Sequence, residues 1–268
     1  MKATAAIAVN VFRESVRDKV LYNLVLFAIL MMGGSYLLGQ LTAGQDVKII
    51  KDLGLSAVSV FGLFIAVFIG IGLVSKEVER RSVYSLLSKP IHRYQLILGK
   101  YAGITLTLVV NIFIMTLAFY AVLLYTSWGI DPTVQSAWDA PALDPALLKA
   151  IGLIFVELLL VTAIALFFST FSTPILSAAL TFGLFVAGHF STDLRNFDQV
   201  VNSPAAVRLA RGLYWVLPNL GQFDVKLQVV HGQPVPIGYM ALTAAYAAMY
   251  TAILLTMAVL IFSRRDFK

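Results

Sequence analysis

The densest polar run in this sequence is Lys76-Glu-Val-Glu-Arg-Arg-Ser-Val-Tyr-Ser-Leu-Leu-Ser-Lys-Pro-Ile-His-Arg93. Its chemistry is recognition. If Val78, Val83, Leu86, Leu87 and Ile91 form a buried or interfacial stripe, Glu77, Glu79, Arg80 and Arg81 project together from one end. Charges of both signs on a short helix suit docking to a soluble partner. A solvated, cation-rich loop fits the same residues equally well.

A second candidate is Glu157, the one acid inside a long apolar run. A carboxylate buried in hydrocarbon is costly, so it must face protein or water, paired or protonated. The expected role is an interhelical hydrogen bond to Asn111, Thr105 or Thr107, the alternative being a polar point on a substrate path. His92, His189 and His231 share no ligand spacing and there is no Cys, so no metal site is expected. The 7 Met residues are spread through apolar runs, where packing would place them. Neither Gly-x-Ser-x-Gly nor His-Glu-x-x-His occurs, so an intramembrane enzyme would lack a nucleophile and a base. The Gly99-Lys100 pair has Tyr94 where a phosphate-binding loop needs its first glycine and Tyr101 where it needs Ser or Thr. ATP is therefore not expected to bind this chain, and no other cofactor is implied.

The elements that hold these groups follow from composition. Of 268 residues, 59% are hydrophobic and 13% charged, with a mean hydropathy of +0.86. Soluble domains run near 45–50% apolar and about 25% charged. The expected class is all-α integral membrane. Six apolar runs are long enough to cross at roughly 20 residues each: Val20–Leu41, Leu55–Val74, Gly103–Ser127, Leu147–Thr170, Pro174–Phe190 and Gly238–Phe262. The fourth and fifth are divided at Pro174, because proline starts helices better than it continues them. Gly33, Gly34, Gly70, Gly72, Gly183, Gly188 and the Ala244/Ala248 pair are expected to allow close helix packing.

Before the first span, Ala5, Val9, Phe12, Val16 and Val20 recur at steps of three and four, opposite Asn10, Arg13, Glu14 and Arg17. Residues 1–19 therefore read as an amphipathic helix in the interface. They also argue against a cleaved signal peptide, since the first apolar run lies behind them and is too long. The net charge of +6 does not indicate nucleic acid, because the cations sit in short segments between uncharged runs. Thirteen of the 20 Lys and Arg fall on the side holding both termini and residues 76–100. That bias predicts cytoplasmic termini. On the other side, residues 191–237 form the longest loop, with an interfacial or re-entrant helix expected around Val207–Leu217 and Tyr214 and Trp215 at headgroup depth.

Glu77-Val-Glu-Arg-Arg-Ser82, Leu86-Leu-Ser-Lys-Pro90, Arg93 and Gly99-Lys100 together resemble the segment after the second span in ABC-2-type ABC transporter permeases. They are most like the branch associated with maturation of multicopper enzymes such as nitrous-oxide reductase. Leu217-Pro218-Asn219 and the terminal Phe262-Ser-Arg-Arg-Asp-Phe267 agree with that resemblance, which spans nearly the whole chain. Ser82 stands where many relatives have Thr, and keeps the hydroxyl. The resemblance implies a cytoplasmic coupling helix between spans two and three, docked on a separate ATPase subunit. Its contacts would be Glu77, Glu79, Arg80, Arg81 and Ser82, with Pro90 and Arg93 setting turn geometry.

It further implies two ATPase copies carrying ATP and magnesium, a second permease copy or related permease, and surrounding lipid in a prokaryotic inner membrane, with export the expected direction. Two rivals remain on the sequence alone. A secondary transporter normally needs several buried ionisable groups, and a membrane anchor recruiting a soluble complex would use the same docking surface.

Overall fold

The computed structural model describes residues 2–40, 46–79, 92–128, 130–135, 138, 140–191, 207–208, 211–212, 214 and 217–264. Among these residues the regular elements are all helical. The main helices are α1 (Lys2–Val16), α2 (Lys19–Gln40), α3 (Asp46–Glu79), α4 (Arg93–Trp128), α5 (Ala146–Ser169), α6 (Pro174–His189) and α7 (Ile237–Arg264). Of these, α2, α3, α4, α5 and α7 are long and apolar enough to cross a membrane, while α6 is a shorter apolar helix of 16 residues. The break at Pro174 lies where expected: α5 ends at Ser169, Thr173 is extended (φ −73°, ψ 159°), and the proline opens α6. A ring that fixes φ and lacks an N–H suits a first helical turn.

The bundle is organised around α5, which packs against α3, α4, α6 and α7 and buries residues around its whole circumference, from Leu147 to Ser169. Glycine lets α3 approach it closely. A Cβ on Gly62 would lie 2.5 Å from Leu158 Cδ1, and one on Gly70 would lie 3.2 Å from the Ala165 methyl. Gly70 and Gly188 serve the packing role expected of them, but Gly33, Gly34, Gly72 and Gly183 face open space. The sequence reading passed over Gly54, Gly62, Gly99 and Gly103, all of which sit at tight contacts. Spacing alone cannot separate a glycine facing lipid from one facing a helix, because both surroundings are apolar.

The same ambiguity holds for α1. Its buried face is centred on Val11 and Ser15, with Ile7 and Ala8 beside them, and not on the Ala5/Val9 stripe, which is exposed. This face docks on α4, where Gly99 meets Ile7 and the Thr4 carbonyl, and Gly103 meets Val11 and the Ala8 carbonyl. Two glycines four residues apart let the backbones approach. α1 is thus a packed member of the bundle.

α3 begins well before the apolar run that signalled it. Lys51, which precedes the Leu55–Val74 run, lies inside the helix and is 1% exposed. Its ammonium donates to the carbonyls of Ala140 (3.3 Å) and Pro141 (2.8 Å). Of the helix expected at 207–217, Val207, Arg208, Arg211, Gly212 and Tyr214 are helical, and Leu209, Ala210, Leu213, Trp215 and Val216 lie outside the described residues. Beyond it, Leu220, Phe223, Val225, Val229 and Val230 are buried. They belong to a 3₁₀ turn (Gly221–Phe223) and a short helix (Lys226–Val230) that pack on α5, the helix also touching α3. Residues 220–230, between α6 and α7, are therefore part of the core.

Candidate functional site

Two places carry the groups singled out above. The first is the basic end of the bundle, where α3 finishes and α4 begins. α3 runs unbroken to Glu79, so Glu77 and Glu79 ride on the extension of a long apolar helix. Arg80, Arg81, Ser82 and Pro90 lie outside the described residues. Arg93 is the first residue of α4. Its guanidinium donates to the carbonyls of Phe262 (3.0 Å) and Ser263 (2.8 Å) in the last turn of α7. Those carbonyls have no partner within their own helix, and a cation there complements the helix dipole. Arg93 thus ties α4 to α7, a role beyond the turn geometry implied by resemblance. The neighbouring His92 stacks on Tyr94 with ring centroids 5.6 Å apart.

The second place is built around Glu157, midway along α5 and 3% exposed. The expected partners on α4 are not its partners. Asn111 donates to the Thr107 carbonyl (2.7 Å) and Thr107 to the Gly103 carbonyl (3.0 Å), both within α4. A buried hydroxyl or amide satisfied by its own helix needs no second helix. The contact of Glu157 is His189, the last residue of α6, whose Nε2 lies 3.3 Å from Oε1. Oε1 is a buried acceptor that receives no hydrogen bond.

The polar atoms continue past His189. Gly188 accepts a close approach from Pro218 and Leu220, and the Leu220 N–H donates to the Gly188 carbonyl at 3.0 Å. This brings residues 219–226 to the end of α6. The Asn219 N–H donates to Tyr246 Oη (2.9 Å), and the Tyr239 hydroxyl donates to the Gln222 carbonyl (2.5 Å). Asp224 and Lys226 pair at 3.7 Å and lie within electrostatic reach of Glu157. Ser191 Oγ, Asn219 Oδ1 and Gln222 Nε2 are buried without partners, like Glu157 Oε1. Native interiors leave few such atoms, and four gathered at one helix end form a polar nest. Sequence reasoning found Glu157 alone. Among the described residues no group of three His, Asp or Glu side chains is placed to hold a metal ion.

Between these places lies an apolar groove of about 690 Å³, bounded by Tyr94, Leu98 and Tyr101 of α4, Leu159 of α5 and one face of α7. Ala244 and Ala248, expected to bring two helices together, line this groove instead. The Tyr101 hydroxyl reaches across to the Leu159 carbonyl at 3.3 Å.

A family model described as ABC-2 family transporter protein matches residues 5–267. No curated protein matches the chain.

Proposed function

Because the chain belongs to the ABC-2 family of transporter proteins, and so is a multi-pass permease component of an ABC transporter, we propose that residues 76–100 dock on a separate cytoplasmic ATPase and pass its motion to the bundle. One observation carries this reading: α3 continues without a break from its buried apolar stretch to Glu79. Force applied to Glu77 and Glu79 is then applied to a spanning helix. Arg93 supports it from the other side of the segment, since its bonds to Phe262 and Ser263 make α4 and α7 move together. Two of the stretches that carry the family resemblance meet at that contact.

In this reading Arg80, Arg81 and Ser82 complete the docking surface and Pro90 shapes its return. Two ATPase copies bind ATP and magnesium, a second permease completes the membrane assembly, and cargo is exported. α6 serves as the fifth of six spans, with both termini in the cytoplasm of a prokaryotic cell. The branch associated with multicopper-enzyme maturation is the one we infer, on the quoted residues of the docking segment and Leu217-Pro218-Asn219.

Reversing Glu77 and Glu79 to Lys is expected to release the ATPase while the permease still inserts. Paired interface charges are worth about 2–5 kcal/mol when truncated, and copurification of the two subunits reads the loss. Unchanged copurification sinks the docking assignment. Orientation has its own test, made clean by the absence of Cys. A cysteine placed at Trp138 is expected to react with impermeant reagent in intact cells, and one at Ser85 is not; the reverse pattern inverts the topology.

A further inference from the structure

The geometry at His189 fixes more than a contact. Its Nδ1 lies 3.2 Å from the Phe185 carbonyl oxygen, an atom that can only accept. Nδ1 therefore carries a hydrogen. In the neutral ring that leaves the lone pair on Nε2, the nitrogen 3.3 Å from Glu157 Oε1. Two acceptors facing one another inside an apolar bundle repel, and a bare carboxylate there is costly in itself. Both penalties vanish if the pair holds one more proton, as carboxylic acid with imidazole or as carboxylate with imidazolium.

Among the described residues no other charge replaces that proton: the ionisable groups around the pair are Asp224 and Lys226, from the segment before α7, and these two oppose each other in sign. Between Gly54 and Ser75, α3 has no ionisable side chain, and neither does α4 between Ala102 and Phe119. Among the described residues α7 brings only tyrosines to this level: Tyr239, which donates to the Gln222 carbonyl, Tyr246, engaged by the Asn219 N–H, and Tyr250.

There is also a way in. The His189 side chain is 28% exposed and that of Asp224 42%. Ser191 Oγ, Asn219 Oδ1 and Gln222 Nε2, buried without partners in the segments that follow α6, are polar groups of the kind that ordered water satisfies. We propose that Glu157 and His189 together bind a single proton, exchanged with the aqueous phase opposite the basic end, and that this proton clips the end of α6 to α5. The step is a plain transfer: one H⁺ leaves water for the pair and returns to it. Without it the pair carries a net negative charge, and the end of α6 separates from Glu157. This site is independent of the docking assignment.

The test uses the full chain in lipid nanodiscs, with spin labels on Leu148→Cys in α5 and Val186→Cys in α6. Distances are read from about pH 3.5 to about pH 9, which brackets ordinary and perturbed histidine and carboxyl titrations. The expected result is one narrow distribution at low pH that lengthens or broadens with a single midpoint as pH rises. Glu157→Gln presents a permanent N–H to Nε2 and is expected to hold the low-pH distribution throughout. A distribution unchanged by pH in the wild type, or the same midpoint in Glu157→Gln, overturns the proposal. The unaltered chain provides a check that needs no variant to fold. With only 3 His, its imidazole nitrogens are resolvable by ¹⁵N NMR. The expectation for His189 is Nδ1–H throughout, with Nε2 changing across the same midpoint. An Nε2–H tautomer at high pH overturns the proposal whatever the variants do.

Discussion

Lys51 and Glu157 are equally hidden, at 1% and 3% exposure, and each is a charged residue type inside an apolar bundle. Their surroundings differ. Lys51 meets two carbonyl oxygens from the 140–141 turn. Arg93, at the other end of the molecule, likewise meets two carbonyls, those of the last turn of α7. Glu157 meets one imidazole without a hydrogen bond, and Ser191, Asn219 and Gln222, in the segments that follow α6, also bury polar atoms without partners. A buried charge closed off by fixed acceptors is a staple, because separating it orphans both sides. A buried charge among unsatisfied groups gains little from staying where it is. The comparison assigns rigidity to the first two places and movement to the third.

Replacement of Lys51 should have the largest effect on stability. Lys51→Met keeps much of the stem but leaves the Ala140 and Pro141 carbonyls unanswered, for an expected loss of about 1–3 kcal/mol in unfolding free energy. A loss below about 0.5 kcal/mol, the usual span of inert surface changes, would move Lys51 out of the staple class. Arg93→Lys comes next. It retains the charge but loses the fork that reaches two carbonyls at once. With one of its bonds in the open, the expected loss is about 1 kcal/mol or less. Because α4 and α7 then part more easily, ATP hydrolysis by the assembled complex should become poorly coupled while assembly persists. Coupling identical to wild type would show that Arg93 only finishes a helix. The smallest effect belongs to Glu157→Gln, which should change unfolding below neutral pH by no more than about 0.6 kcal/mol, the average for a polar contact within membranes. If that variant collapses instead, Glu157 is a staple and the contrast fails.

Much of this architecture was legible in the residues. Uncharged runs gave the long helices and Pro174 gave the break between α5 and α6, since the bilayer and the proline ring act on sequence locally. The packed face of α1 was not legible, because lipid and protein interiors select the same side chains and only Gly99 and Gly103 mark the difference. The environment of Glu157 was half legible. Its depth followed from the apolar run around it. His189 became its neighbour only through the hairpin of α5 and α6, and Asn219 and Gln222 arrived through a loop folded back into the core. That α3 reaches back past Lys51, before the apolar run, was not legible for a related reason. Hydropathy ends a span where charge begins, whereas a helix continues as long as its side chains find partners.

The 16 residues of α6 extend only about 24 Å at 1.5 Å per residue, against a hydrocarbon core of about 30 Å. With α6 as the fifth span proposed above, the bilayer on its flank would have to pinch, drawing headgroups and water toward the level of His189. Such mismatch costs a fraction of a kcal/mol per Å. Lipid thickness thereby becomes a variable acting on this protein: short-chain lipids should relieve the strain around α6, and long-chain lipids should press the flank toward arrangements in which it is covered.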